Sequence, residues 1–266
     1  MSRGTKDMWN NESDSWYENI RVGLDIIAEN AERAFPLTVW KMISRAFPDL
    51  RGKRVLVPSS GDNIAAFGFH LLGANVTSCD FAERQLSNAK KIADEHGWNI
   101  EFLQQDSMDL NAIPDGKYDL VYTSNGVHVW IPDLPKMHSN FHRVLRPGGM
   151  YIMFETHPFI RPFDASRSVD PDKQEIIVKK PYDETGPFMF GKTAEFAWRI
   201  QDIFNSVCGA GFRVQHMEEF HPEPGDWDIW FYEDVNEGAS DNYRKLDWKQ
   251  NAWAALPQWI GFSASR

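Results

Sequence analysis

Between residues 53 and 156, five short apolar runs alternate with helix-like stretches, and few folds can accommodate that alternation. The runs are "KRVLVP", "NVTSCD", "NIEFLQQD", "YDLVYTSNG" and "GMYIMFETHP". Their apolar residues are near-continuous, as expected of strands buried on both faces. Between them, "NIAAFGFHLLG" and "AERQLSNAKKIADEHG" read as helices closed by Gly73 and Gly97, glycine being the usual left-handed terminator. "LPKMHSNFHRVL" reads as a third helix, with Pro132 near its start, where a missing N–H costs little. Strands separated in this way by helices predict a parallel sheet covered on both faces, an α/β, Rossmann-like, doubly wound fold.

The flanks are less regular. Tyr17, Ile20, Leu24, Ile27 and Ala31 fall at three- and four-residue steps and predict one amphipathic helix. A second helix is expected over residues 38–46, ending near Pro48. After Pro158 an irregular, proline- and aromatic-rich stretch runs to about residue 191, followed by a helix expected over 193–207. The turn "GAGF" leads into a strand, "FRVQHMEEF", and "PQWIGFSAS" has the alternation of an edge strand. The expected organisation is an N-terminal helical cap over residues 1–50 and a domain over 51–266. That domain carries a cap insertion at about 158–191 and an acidic, Trp-rich loop at about 220–256.

Charge narrows the range of partners. The formal net charge is −10, and Lys and Arg form no cluster of the kind that binds a phosphate backbone, so neither nucleic acid nor an anionic membrane is expected. The two cysteines do not suggest a disulfide framework, and no apolar run has the length of a signal peptide core or a membrane span. A cytoplasmic location is the expectation.

Ligands of open parallel sheets bind beyond the carboxyl ends of the strands. The residues there are Ser59, Ser60, Gly61 and Asn63 after the first strand, Asp80 and Phe81 after the second, and Asp106, Ser107 and Met108 after the third. Asn125, His128 and Trp130 follow the fourth, and Glu155 and His157 end the fifth. Asp80, about 20 residues past the first turn, has the position of an acid that accepts from a ribose diol, although Asp is also a common helix cap. Asp106 at the next strand end is suited to an adenine amino group. Two acids at adjacent strand ends, and a first turn short of glycines, suit an adenosine ligand with little or no phosphate.

In order, "VLVPSSGDN", "VTSCDFAERQLSNAKK", "EFLQQDSMDL", "YDLVYTSNGVHVWIPDL" and "FHRVLRPGGMYIMFETHPF" resemble the class I S-adenosylmethionine-dependent methyltransferases. "RVLRPGGMYIMFE" is the most specific piece and resembles the small-molecule branch. The resemblance covers residues 52–158 and implies a seven-stranded sheet whose last strand is inserted antiparallel. It also implies S-adenosylmethionine as cofactor, with the ribose on Asp80 and the adenine near Phe81, Asp106, Ser107 and Met108. The methionine part would lie over Ser59, Ser60, Gly61, Asn63 and Asn125.

The first turn departs from the family pattern. Val57 stands where an acid is usual, and Ser59 and Asn63 stand where glycines are usual. Asn tolerates a left-handed backbone better than most residues, and Gly61 keeps the central position, so the turn is expected still to bind. The expected function is methyl transfer to a small-molecule acceptor, with His128 or His157 as a base if the nucleophile must lose a proton early. Tryptophans in the capping segments either pack the cap or enclose the acceptor, Trp130 being the best placed to enclose it. One alternative is a non-catalytic nucleoside-binding protein with a decayed first turn. A nicotinamide-dependent oxidoreductase is disfavoured by the missing glycines. A nucleic-acid methyltransferase is disfavoured by the charge and by the absence of an Asn/Asp-Pro-Pro-aromatic motif.

Overall fold

A computed structural model describes residues 2–163, 169–170, 175–223, 226, 247–249 and 252–266. Most of the acidic, Trp-rich loop, with Trp227 and Trp230, and part of the cap insertion lie outside the described residues. Among the described residues no helix is long and apolar enough to cross a membrane.

The alternating region folds as β1 (Arg54–Pro58), α3 (Ile64–Leu71), β2 (Asn75–Asp80), α4 (Glu83–His96), β3 (Glu101–Gln104), β4 (Tyr118–Thr123), α5 (Leu134–Val144) and β5 (Leu145–Thr156). It is preceded by α1 (Arg3–Glu29) and α2 (Leu37–Ala46). The insertion holds the two-residue strands β6 (Val169–Asp170) and β7 (Glu175–Ile176) and a hairpin, β8 (Phe188–Phe190) with β9 (Thr193–Glu195). Then come α6 (Ile200–Gly209), β10 (Arg213–Phe220) and β11 (Trp259–Ser265).

The main sheet has seven strands in the order β10-β11-β5-β4-β1-β2-β3. β1 to β5 run parallel, while β11 is antiparallel to both its neighbours. Residues along each strand alternate between two cores. Val55, Val57, Leu120, Tyr122, Ile152 and Phe154 pack against α1 to α4, while Leu56, Val121, Tyr151 and Met153 pack on the face that α5 and α6 cover. Gly68 in α3 makes one of these contacts possible, since a Cβ there would lie 2.3 Å from the Ala34 Cβ. Both cores are continuous, so the sheet is buried on both sides as its apolar runs require.

Two local expectations fail. Thr193 opens strand β9 instead of a helix, and α6 begins at Ile200, where the Arg199 amide and guanidinium bind the Asp202 carboxylate across the first turn. β11 is an interior strand with all seven residues buried, between β10 and β5. Its alternation resembled an edge strand because Gly261, Ser263 and Ser265 are small or polar. Those residues meet neighbouring strands and packed side chains, not water.

Candidate active site

From β1 the chain proceeds outward through β2 to β3 and later returns to β4 and β5 on the other side. The connections therefore diverge between β1 and β4, where a crevice must open. A cavity of about 310 Å3 lies there, lined by Ser59 and Gly61 after β1, Asp80 and Phe81 after β2, and Asn125, Gly126 and Val127 after β4. Trp9 and Trp16 of α1 and Trp130 line it as well. Trp9 packs edge-on to Trp130 with ring centroids 5.5 Å apart.

The β1 turn follows a glycine path without three glycines. Ser59, Gly61 and Asn63 have φ of 51°, 50° and 66°, left-handed at every position where the family usually has glycine. The two non-glycine residues are held by their side chains. Ser59 Oγ lies 2.7 Å from Ser107 Oγ. Asn63 Nδ2 donates to the Gly61 carbonyl at 2.8 Å, and its Oδ1 accepts from the Ser78 hydroxyl at 2.5 Å. Ser60 Oγ is 3.0 Å from the same Ser78 hydroxyl. The side chains of Ser60 and Asn63 are thus buried beneath the turn and do not line the cavity, whereas Ser59 and Gly61 do. A Cβ built on Gly61 meets nothing within 4 Å, so the backbone there stands open. Val57, in place of an acid, is part of the apolar core.

Asp80 closes β2 and is buried. Its Oδ2 accepts from Gly61 N at 3.1 Å and its Oδ1 from Ala82 N at 2.8 Å, so the carboxylate shapes both adjoining turns. A carboxylate has about four acceptor sites, and those not used by the amides remain for hydroxyl groups in the cavity. Burial raises its pKa to about 6, with the nearby Asp106 adding to the effect against the amide hydrogen bonds. Asp62, in the same turn, is likewise raised to about 6 by burial and caps Ile64 N.

Asp106 does not share Asp80's cavity. It lines a second one of about 460 Å3 with Lys6, Gln104 and Asp109, and Phe81 borders both. One Asp106 oxygen accepts from Met108 N at 2.9 Å. Ser107 and Met108 are buried and line neither cavity. The two carboxylates therefore line different cavities, with Phe81 bordering both, instead of facing one another in one crevice.

The histidines are elsewhere. His128 is buried, with Nδ1 3.2 Å from Glu155 Oε2 and its ring 5.7 Å from that of His138. Glu155 accepts from the backbone N–H of Gly126, His128 and Thr156. Burial alone would raise the Glu155 pKa, but the His128 hydrogen bond and the nearby positive charges hold it below the usual carboxylate value. His157 Nε2 lies 2.8 Å from Glu219 Oε1, and its Nδ1 accepts from Phe159 N. Neither His128 nor His157 lines the cavity, because each side chain turns into the protein to fix a loop.

Asn125 is on the cavity wall, its Oδ1 accepting from the Thr156 hydroxyl at 2.6 Å, which leaves its Nδ2 as a donor. Sequence reasoning missed Gln85 and Arg161, which also line the cavity. Asn88 Nδ2 donates to Asp14 and to Ser13 Oγ, so the Ser13 proton goes to Gln85 Oε1. Gln85 Nε2 is then left buried without a protein acceptor. Its sequence signal was faint, a polar residue on the inward face of α4 five positions after Asp80. Arg161, between Ile160 and Pro162, lay outside every motif.

These observations fit an adenosyl cofactor. A buried carboxylate with free acceptor sites, an open glycine backbone, the Asn125 amide donor and Phe81 at the border of two cavities are groups such a molecule can use. Among the described residues no group of three or more His, Cys, Asp or Glu is placed to hold a metal ion.

Comparison with known proteins agrees. Residues 59–149 match the model of a family described as "Methyltransferase domain". A sterol 24-C-methyltransferase of Pneumocystis carinii is 23% identical over 164 residues, covering 61% of this chain and 40% of that protein. A demethylmenaquinone methyltransferase of Thermus thermophilus is 32% identical over 108 residues, covering 40% of this chain and 48% of its own length. The matched region thus spans less than half of each of these relatives. Among solved structures, an S-adenosylmethionine-dependent methyltransferase of Mesorhizobium loti superposes with a TM-score of 0.64 at 20% identity, covering 85% of this chain and 97% of that one.

Proposed function

We propose that the class I S-adenosylmethionine-dependent methyltransferase domain carried by this chain methylates a small acceptor enclosed between Trp130 and the tryptophans of α1. The observation that carries this reading is a buried Asp80 carboxylate and an open Gly61 backbone facing an aromatic cavity where the strand order reverses.

When bound, the cofactor would supply a sulfonium methyl group that an acceptor atom could take by in-line displacement, with S-adenosylhomocysteine leaving as the neutral thioether. The chain's own part is to bind, orient and exclude water. Asp80 accepts from the ribose diol, and Phe81 offers its ring to the adenine with Asp106 beyond it. Asn125 Nδ2 donates to polar atoms of the ligands. Trp9, Trp16 and Trp130 shield the reacting atoms, and their ring faces favour a cation nearby.

No histidine is among the lining residues, so His128 and His157 are not assigned as bases. Glu155 and His128 serve instead to hold the loop after β4. Asp80 is occupied by amides and ribose, which leaves positioning as the main source of rate. The acceptor's proton, where it has one, passes to solvent. The reading as a decayed binding protein rested on Val57, Ser59 and Asn63, and the glycine-like path of the turn takes away its support.

The test is calorimetric titration with S-adenosylhomocysteine, run beside Asp80→Ala, followed by methyl transfer from labelled cofactor to a metabolite panel. Saturable binding by the native protein, lost in the variant, is expected. Absence of binding by the native protein overturns the proposal.

A further inference from the structure

Resting on the methyltransferase reading, a further question is which acceptor the cavity fits. Among the described residues, Arg161 is the single cationic one lining it. It follows the short helix after β5 and so stands on the β4–β5 side of the crevice, whereas Asp80 stands on the β2 side. The cavity's other lining side chains are mainly aromatic or aliphatic, with Asp80 as the lining carboxylate. Asp80 already accepts two backbone amides, and among the described residues Arg161 forms no ion pair or side-chain hydrogen bond. Glu155 feels its charge, but the Glu155 oxygens are taken by three amides and His128. Among the described residues, then, no lining carboxylate is paired with the guanidinium.

The amides of Lys179 and Lys180 both donate to the carbonyl of Pro162, at 2.7 and 3.1 Å, which ties their backbone to the segment that follows Arg161. Burial lowers the Lys180 pKa against the opposing Glu184 carboxylate, and the Arg161 charge adds to the lowering. In a chain of net charge −10, a guanidinium on the wall of a mainly apolar cavity favours an anion. A guanidinium left bare in an aromatic enclosure calls for a planar oxyanion that it can bind through two N–H groups. A single cation over a cavity of about 310 Å3 matches one negative charge better than the two of a phosphate monoester.

We propose that Arg161 anchors the carboxylate of the methyl acceptor, and that the acceptor is a small monocarboxylic acid with an apolar, ring- or chain-bearing body held against Trp9, Trp16 and Trp130. The carboxylate fixes the acceptor at its far end, and the nucleophilic atom faces the methyl group. The cofactor carries a carboxylate of its own, and the two are told apart by whether loss of Arg161 weakens the acceptor or the cofactor.

The test uses the full chain saturated with S-adenosylhomocysteine and follows tryptophan fluorescence. Phenylacetate, indole-3-acetate and decanoate are titrated beside their uncharged amides. At least one acid is expected to bind tenfold or more tightly than its amide. Arg161→Gln should remove that advantage, a loss of roughly 10- to 100-fold for the acid, while S-adenosylhomocysteine affinity stays within about twofold. Arg161→Lys should restore part of the preference, as a point charge without the fork. Acid and amide binding equally, no acid binding to the cofactor-loaded protein, or an equal loss of S-adenosylhomocysteine affinity in Arg161→Gln would each overturn the proposal. Failure of the native protein to bind S-adenosylhomocysteine at all is a separate outcome, and it overturns the methyltransferase reading and this proposal together.

Discussion

The two banks of the cavity are made in different ways. On the β1–β2 bank, a short stretch of sequence folds on itself, so that Ser59, Gly61, Asn63, Ser78 and Asp80 are all within 22 residues. On the β4–β5 bank, the loop after β4 is held by distant segments. Glu155 takes its amides, Phe196 N donates to the Val129 carbonyl, and Trp198 Nε1 donates to the Ile131 carbonyl. A locally built wall can reserve its polar groups for a ligand. A wall assembled from remote pieces spends its polar groups on its own shape. Mutations on the first bank should therefore mainly affect binding, and mutations on the second should mainly affect stability.

The largest effect is expected from Glu155→Ala. It leaves the His128 ring and three backbone N–H groups without their acceptor in a buried site, at a cost of roughly 3–5 kcal/mol. Denaturant titration measures this, and a loss below about 1 kcal/mol would break the contrast between the banks. Next, Asp80→Ala should lower S-adenosylhomocysteine affinity by about 100-fold, because two charge-assisted hydrogen bonds to the ribose disappear. Asp80→Asn should retain more of the fold than of the affinity.

Acidity gives a smaller and sharper test. Burial raises the Asp80 pKa to about 6, above the usual carboxylate range. A carboxyl raised in this way contributes stability that is complete below its unfolded value and is lost as pH rises through about 6, and Asp62 acts in the same sense. Ligand binding has the opposite sign, because only the ionised form accepts from both hydroxyls. Affinity for S-adenosylhomocysteine is expected to rise about tenfold between pH 5 and 7, and calorimetry across that range should find the rise absent in Asp80→Asn. The smallest effect is expected of Ser59→Gly, which relieves a positive φ but loses the hydroxyl contact with Ser107. Stability should change by less than about 1 kcal/mol, and affinity should be preserved.

Much of the fold was legible because its signals are local. Continuous apolar strands, and glycines at 73 and 97 that end or follow helices with φ of 88° and 69°, can be read from neighbouring residues alone. β11 was misread because a strand between two others resembles an edge strand when its alternate positions are Gly and Ser. Asp80 was legible because the sheet's topology dictates what a strand end faces. The histidines were not, since a loop residue's position along the chain says nothing about which way its side chain turns. His128 and His157 turn inward to carboxylates 27 and 62 residues away in sequence. Arg161 stood apart from every motif, and its place on the wall is visible only once β5 and the loop after β4 are set side by side.

The first turn has one further consequence. A bend written with serine and asparagine has fewer conformations to give up on folding than the same bend written with glycine, so part of what it loses to strain in the native protein is returned by a narrower denatured ensemble. The family's glycines are, on this view, one solution to the shape of the bend, and a chain that stiffens the bend and ties it from below reaches the same shape by another route.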